Sequence, residues 1–370
     1  MPACLEKALS GPEYLPSMRT ILLLAAVASL AVSGRAAVSW RDINRQPAAW
    51  YASAEAGAIA ASILQYQTEA GGWPKNTDMI QPPSAEFLAS DKFDHRAPTI
   101  DNNATITQLR YLALVLTAAK EKEPARLAAF NRGFDYLVAA QYPGGGWPQY
   151  FPLIKGYYTH ITYNDNAMVN VLNVLRDVAA GREPYAFADA ARREKAAAAV
   201  ARGLDCILRT QVKQDDQPAV WCAQHDETTL APAWARNFEP PTLSGAESVG
   251  IVRFLLGVEH PSPEIIAAVE GAVKWFGAVA VHGLRTDDTP GTDGKKDRHA
   301  VADPAAHPVW ARFYELGTNK PVFTGRDKVI RYDFNEIERE RRTGYAYFGD
   351  WPANLLEKDY PRWRTQNKLP

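Results

Sequence analysis

Two stretches decide the fold: Gly71-Gly72-Trp73-Pro74-Lys75-Asn76 and Gly145-Gly146-Trp147-Pro148-Gln149. With the degenerate Val220-Trp221-Cys222 they place tryptophans 74 residues apart, twice over. Each follows a stretch whose apolar residues recur at helical spacing and which ends near a Gln: residues 54–67, 126–141 and 191–211. After each Trp comes a polar segment and then an acidic residue before an apolar run. The three segments are Thr99-Ile100-Asp101-Asn102-Asn103, Thr162-Tyr163-Asn164-Asp165-Asn166 and Ser244-Gly245-Ala246-Glu247. Helices are expected to follow over 111–119, 169–178 and 249–258.

The unit is therefore helix, Trp loop, acidic cap, helix. A fourth first-type helix is expected over 263–281, followed by a long Asp/Gly/Lys loop over 285–307. Trp234-Ala235-Arg236 is echoed by Trp310-Ala311-Arg312, 76 residues later. No sustained strand run and no strand–helix alternation is read. The expected fold is all-α, an irregular (α/α) toroid of helical hairpins with long loops around a groove. Matching repeat positions then share one rim.

Outside this core, Met18-Arg19 precedes an apolar run from Ile21 to Val32, the length of a signal-peptide core. Residues 1–37 read as a cleaved signal, with Met18 as an alternative start. Residues 38–370 read as one catalytic domain, in which 38–92 forms a smaller subregion or part of the first hairpin. No other long apolar run appears, so no membrane association is expected after cleavage, and the site of action is secreted or periplasmic. The 41 basic and 42 acidic residues leave a net charge of −1, which speaks against a nucleic-acid partner. Beyond Cys4, only Cys206 and Cys222 remain; they read equally as a disulfide or as two buried thiols.

Asp101 and Asp165 have two readings. Each stands where a helix N-cap would stand. Each also lies in an Asn-rich cluster, at what reads as the same repeat position, and oxygen donors gathered there suit a hard cation such as Ca²⁺. Arg236, Arg312 and Arg326 read either as ion pairs with Glu239, Glu315 and Asp327 or as forks for substrate carboxylates. Lys75 offers another cation. Trp73 and Trp147 read either as loop-anchoring core or as sugar platforms. His95, His160 and His225 stand isolated and read as structural or surface residues. Spacing alone leaves open a glycoside hydrolase working through Asp101, Asp165 or Glu247, and a glycan-binding protein without catalysis.

Five ordered motifs resemble the pectate lyases of polysaccharide lyase family 10: Gly71-Gly72-Trp73-Pro74-Lys75-Asn76, Thr99-Ile100-Asp101-Asn102, Tyr163-Asn164-Asp165-Asn166-Ala167, Pro232-Ala233-Trp234-Ala235-Arg236 and Arg312-Phe313-Tyr314-Glu315. The resemblance runs from about residue 45 to 365. It implies a helical toroid, Ca²⁺, and a groove for de-esterified polygalacturonate. It also implies anti β-elimination, which leaves a 4,5-unsaturated sugar end. Arg236 then matches the catalytic base. Asp101 and Asp165 match the acidic residues around Ca²⁺ and substrate. Arg326, or alternatively Arg312, matches a substrate-binding arginine. Trp73 and Trp147 both become candidates for sugar contact, and a monomer is expected. An arginine base needs its pKa, ordinarily above about 12, brought down by neighbouring cations and desolvation, or else acts through transient deprotonation.

Overall fold

The computed structural model describes residues 38–92, 96–119, 123–291 and 293–369. The signal-peptide reading and His95 lie outside them. Seven helices carry the core: α1 (Ala54–Gln65), α2 (Ile106–Ala118), α3 (Pro124–Ala139), α4 (Ala167–Ala179), α5 (Ala190–Thr210), α6 (Glu247–Leu256) and α7 (Pro263–Ala278). Their starts follow local chemistry. Ser53 caps α1 by accepting from Ala56 N at 3.2 Å, Asp189 caps α5 by accepting from Arg192 N at 2.8 Å, and Pro124 opens α3. The helices form two layers. α2, α4 and α6 pack in one row, α1, α3, α5 and α7 in the other, and α2–α3, α4–α5 and α6–α7 pack across. The first row is inner: Val171, Leu172, Val174 and Leu175 of α4 are essentially inaccessible, whereas α5 buries only one side of its 21 residues. From Ser39 onward the chain is one compact unit. The short helices Trp40–Arg45 and Ala48–Ala52 pack against α2, where Trp50, Tyr51 and Tyr111 meet edge to face.

The repeat is written in hydrogen bonds. The buried indoles of Trp73, Trp147, Trp221 and Trp310 donate to the carbonyls of Ile63, Leu137, Ile207 and Phe276, at 2.8, 2.7, 2.7 and 2.8 Å. Three glutamines lock each loop to the next outer helix. Gln67 Nε2 donates to Gly71 O and Ala129 O, Gln141 to Gly145 O and Ala199 O, and Gln211 to Ala219 O and Ala268 O. Gly71 and Gly145 are fixed by the same contact. At φ of 99° and 94°, a Cβ would sit 2.4 Å from Arg132 O and 2.1 Å from Arg202 O.

Trp310, not Trp234, is the fourth member of the series. Pro232-Ala233-Trp234 instead matches Pro321-Val322-Phe323, through the bridges His225–Pro232 and Tyr314–Pro321 and the bonds Ala233 N to Gln224 O and Val322 N to Phe313 O. Trp234 is 37% exposed. The apparent echo of Trp-Ala-Arg is thus a coincidence of spelling. Segment 285–307 is not a loop throughout. Strands Leu284–Pro290 and Lys296–Ala302 pair antiparallel in it, joined by a short turn. Polar and charged side chains on both faces of these strands hid the hairpin from a hydrophobic-pattern reading. A second core of Phe313, Val322, Phe323, Phe334, Ile337 and Tyr347 follows it. Cys206 and Cys222 are both buried free thiols, not a disulfide.

Candidate active site

The acidic segments are clamped between successive Trp loops. Thr99 N, Thr162 N and Ser244 N donate to the carbonyls of Trp73, Trp147 and Trp221. The next residues, Ile100, Tyr163 and Gly245, donate to Gln149, Ala223 and Arg312 of the following loop. This double attachment makes one continuous rim and fixes the repeat register. Thr99, Thr162 and Ser244 are equivalent, so Asp165 matches Glu247 and Asn102, while Asp101 matches Asn164. Asp101 and Asp165 are therefore one position apart rather than at the same position. Neither caps a helix, since α2 and α4 begin without a side-chain cap. Left-handed backbone at Asn102, Asn103, Asp165 and Asn166, with φ from 50° to 60°, turns these side chains away from the helix ends.

Asp101 is buried. Its Oδ2 accepts from Lys75 Nζ at 2.7 Å, and its Oδ1 is enclosed without a hydrogen-bond partner. Lys75 also lies over the Tyr150 ring at 5.5 Å. Burial opposes the lysine's charge, but Asp101 and Tyr150 outweigh it and hold its pKa above the ordinary value. Asp165 is open to solvent, and its carboxylate accepts from Asn164 Nδ2 at 2.9 Å. Its pKa is raised by desolvation first, then by the charges of Glu247 and Asp101. Arg312 and Arg236 only partly offset this. Glu247 is buried, bonded to Ser244 Oγ and to Arg312 Nη1.

The arginines beside these acids are all paired: Arg236 with Glu239, Arg312 with Glu247, and Arg326 with Glu340, which Arg341 also holds. Arg312 occupies the same place after Trp310 that Lys75 occupies after Trp73. It bonds Glu247, donates to Ala346 O at 2.9 Å, and lies between Tyr345 and Trp351 at 4.9 and 5.3 Å. Its pKa is raised, because Glu247 and the groups beside it outweigh burial. Arg236 forks onto Glu239 at 2.8 and 2.5 Å, over Phe238 at 4.8 Å. Tyr345 Oη donates to the same carboxylate at 2.9 Å. Burial lowers the pKa of Arg236, but the Glu239 bonds and charge win, and it stands above its usual value. Arg326 is exposed, forks onto Glu340 at 2.9 and 3.0 Å, and lies over the same Phe238 ring at 5.6 Å.

The structure thus gathers Asp101, Asp165, Lys75, Arg236 and Arg312, with Arg326 beside Arg236. It does not bring Trp73 or Trp147 to the groove. Both indoles are fully buried and serve as loop anchors, so neither offers a face to a sugar. Of the expected ion pairs, Arg236–Glu239 is present. Arg312 pairs with Glu247 rather than Glu315, and Arg326 with Glu340 rather than Asp327, which instead holds Arg331. Tyr345, Trp351 and Tyr157 escaped the sequence reading. They lie in segments with no repeat counterpart, and only the fold brings them to Arg236 and Arg312.

Solved structures give this helical scaffold its class, a polysaccharide lyase. Residues of this chain superimpose on a family 10 polysaccharide lyase from Cellvibrio cellulosa with a TM-score of 0.73 and 31% identity, covering 89% of this chain and 95% of that one. An aspartate-to-alanine mutant of that family 10 lyase, in complex with trigalacturonic acid, gives a TM-score of 0.72 at 31% identity, covering 89% and 98%. Comparison with curated proteins found no match. The pectic acid lyase family model matches residues 67–356, and the chain belongs to that family. It is a polysaccharide lyase, which sets aside the hydrolase and the non-catalytic binder.

Proposed function

We propose that this protein is an exported, Ca²⁺-dependent pectate lyase that acts as a monomer on de-esterified polygalacturonate. The observation that carries the reading is the imbalance between the walls. Desolvation first, and then the charges of Glu247 and Asp101, raise the pKa of Asp165, although Arg312 and Lys75 pair with those two acids, and the enclosed Oδ1 of Asp101 lacks any partner. A divalent cation held by Asp101 and Asp165, with neighbouring asparagine oxygens, fits this hard-oxygen donor set. When bound, it supplies positive charge to a galacturonate carboxylate and so acidifies the C5 proton.

The remaining work falls to the chain's own residues. Arg312, fixed and permanently cationic, faces the charge that develops on the substrate carboxylate. Arg326 captures a neighbouring uronate. Arg236 takes the proton from C5; the electron pair forms the C4–C5 double bond, and the C4–O bond breaks. The departing oxygen takes up a proton, which leaves a 4,5-unsaturated end and a new reducing or chain end. In the free protein Glu239 holds Arg236 protonated, so substrate has to loosen that fork before Arg236 can act as base. Burial by bound polymer and the nearby charge of Arg312 both favour the release. The apolar run from Ile21 to Val32 is the proposed export signal, and no described helix is long and apolar enough to cross a membrane. Incubation with polygalacturonate, with and without Ca²⁺, tests the reading. Ultraviolet-absorbing unsaturated ends should form only with Ca²⁺; saturated ends, or full turnover in excess chelator, would reject it.

A further inference from the structure

His160 stands alone in the sequence, but the fold gives it two acidic neighbours. Strands Ile161–Thr162 and Gln224–His225 pair antiparallel, with Ile161 opposite His225. The next step along that register brings His160 opposite Asp226, and Glu227 follows in the turn. One ligand-type atom from each of these three residues lies within 4.8 Å of the other two, the one such group among the described residues. His160 Nδ1 and Glu227 Oε2 are 3.0 Å apart. That is a hydrogen-bond distance; tetrahedral ligands with bonds of about 2.1 Å stand about 3.4 Å apart, so an ion needs the pair to open by a few tenths of an ångström. All three residues are half-buried, which leaves a path for an ion and for the water that would complete its coordination.

Asp226 is already oriented for such a role. Its Oδ1 accepts from Thr228 N, Thr229 N and Thr229 Oγ1 at 3.0, 2.7 and 2.9 Å. These bonds fix the carboxylate and leave Oδ2 as the remaining donor, the arrangement outer-shell hydrogen bonds give to metal-binding carboxylates.

We propose that His160, Asp226 and Glu227 form a metal site, separate from the acidic wall of the groove, for a borderline transition cation such as Zn²⁺. One imidazole with two carboxylates suits such an ion better than Ca²⁺, which prefers oxygen alone. The site joins two segments that border Arg236. Segment 157–160 carries Tyr157, whose electrostatic environment includes Arg236 and Glu239, and the turn at Asp226 leads through Pro232 to Arg236 itself. A bound ion would staple one to the other.

Co²⁺ titration of the metal-free protein at neutral pH tests this, read by visible absorption of the bound ion and by thermal unfolding. The expected result is saturable Co²⁺ absorption with a rise in melting temperature; Zn²⁺, but not millimolar-range Ca²⁺, should abolish the absorption while the stabilisation is kept. His160→Ala and Glu227→Gln should each weaken Co²⁺ binding by about tenfold or more, with circular dichroism unchanged. Asp165→Asn, on the acidic wall, should leave Co²⁺ affinity as in wild type. Absence of a Co²⁺ spectrum in wild type, or equal affinity in both His160→Ala and Glu227→Gln, would overturn the site and leave the residues as a plain ion pair. Loss of Co²⁺ binding in Asp165→Asn would overturn its separateness.

Discussion

The two walls of the groove carry opposite charge and opposite degrees of completion. On the acidic wall, Asp101 keeps one buried oxygen unpartnered and Asp165 is held against two like charges. On the basic wall, Arg236 forks onto Glu239, Arg312 reaches across to Glu247 of the acidic side, and Arg326 shares Glu340 with Arg341. The acidic side comes from the repeating helical part, where clamped loops impose positions whatever charges they carry. The basic side comes largely from the irregular part after α5, where a partner could be selected for each arginine. The difference teaches that, among the described residues, Asp165 stands without a cation partner of its own, while Arg236 is held in a fork. Activity should therefore fail differently when each wall is damaged.

Removing Arg236 tests the basic wall most severely. Arg236→Ala is expected to lower kcat by about 10²–10⁴, the usual range for a proton-transfer group, with KM within about tenfold. Steady-state kinetics on polygalacturonate, with circular dichroism as a folding check, decides it. A rise in KM at constant kcat would make Arg236 a carboxylate clamp and move the base elsewhere.

Asp165→Ala should reduce turnover by about 10²-fold or more, in line with loss of one electrostatic contact to the reacting charge. Added Ca²⁺ should rescue it poorly, whereas chelated wild type should recover fully on Ca²⁺ addition. If chelation leaves wild-type activity intact, the unpaired charge of the acidic wall has some other purpose.

The closure of the basic wall predicts a pH effect. Glu239 raises the pKa of Arg236, and a base works only when deprotonated, so activity should climb toward alkaline pH. Glu239→Gln removes that charge while keeping the shape. The rising limb of kcat should move to lower pH, even if the maximum falls because the fork is less well held. An unmoved limb would mean that Arg236 does not titrate in the rate-limiting step. Arg326→Ala is milder. The residue is exposed and already paired with Glu340, so a KM only a few-fold higher is expected.

How much of this was legible in the sequence follows the same division. Helices α1 to α7 announced themselves within a few residues, because apolar spacing and the Trp loops repeat. The 74-residue period led to Asp101, Asp165 and Glu247. In the sequence Asp101 and Asp165 read as the same position; only the backbone bonds of Thr99 and Thr162 reveal the one-residue offset. Trp73 and Trp147 stay open between loop anchor and sugar platform in the sequence, because an indole beside Gly-Gly reads the same either way; burial makes them anchors. The partners Glu340, Tyr345 and Trp351 lie in segments without periodicity, so nothing local tied them to Arg326, Arg236 or Arg312. His160 failed for a related reason: its neighbours are 66 and 67 residues away, joined by a two-residue strand pair.

The smallest effect is the most discriminating between the walls. In the folded protein the pKa of Asp165 stands above its ordinary value, so folding favours the protonated carboxyl. At pH below the unfolded value of about 3.9, both states are protonated and the group costs nothing. As pH rises through the window up to the raised folded value, the folded state must ionise against Glu247 and Asp101. That penalty then persists at neutral pH. Asp165→Asn removes it, and the amide oxygen can still accept from Asn164 Nδ2. The metal-free variant should therefore melt above metal-free wild type at neutral pH, and the difference should vanish near pH 3. Saturating Ca²⁺ should reverse the order, because binding stabilises wild type by mass action and the variant has lost a charged ligand. Calorimetry of both proteins, with chelator and with Ca²⁺, measures the crossing. If the variant melts lower in both buffers, Asp165 is a structural residue that supports Asn164, and the acidic wall is not waiting for a cation.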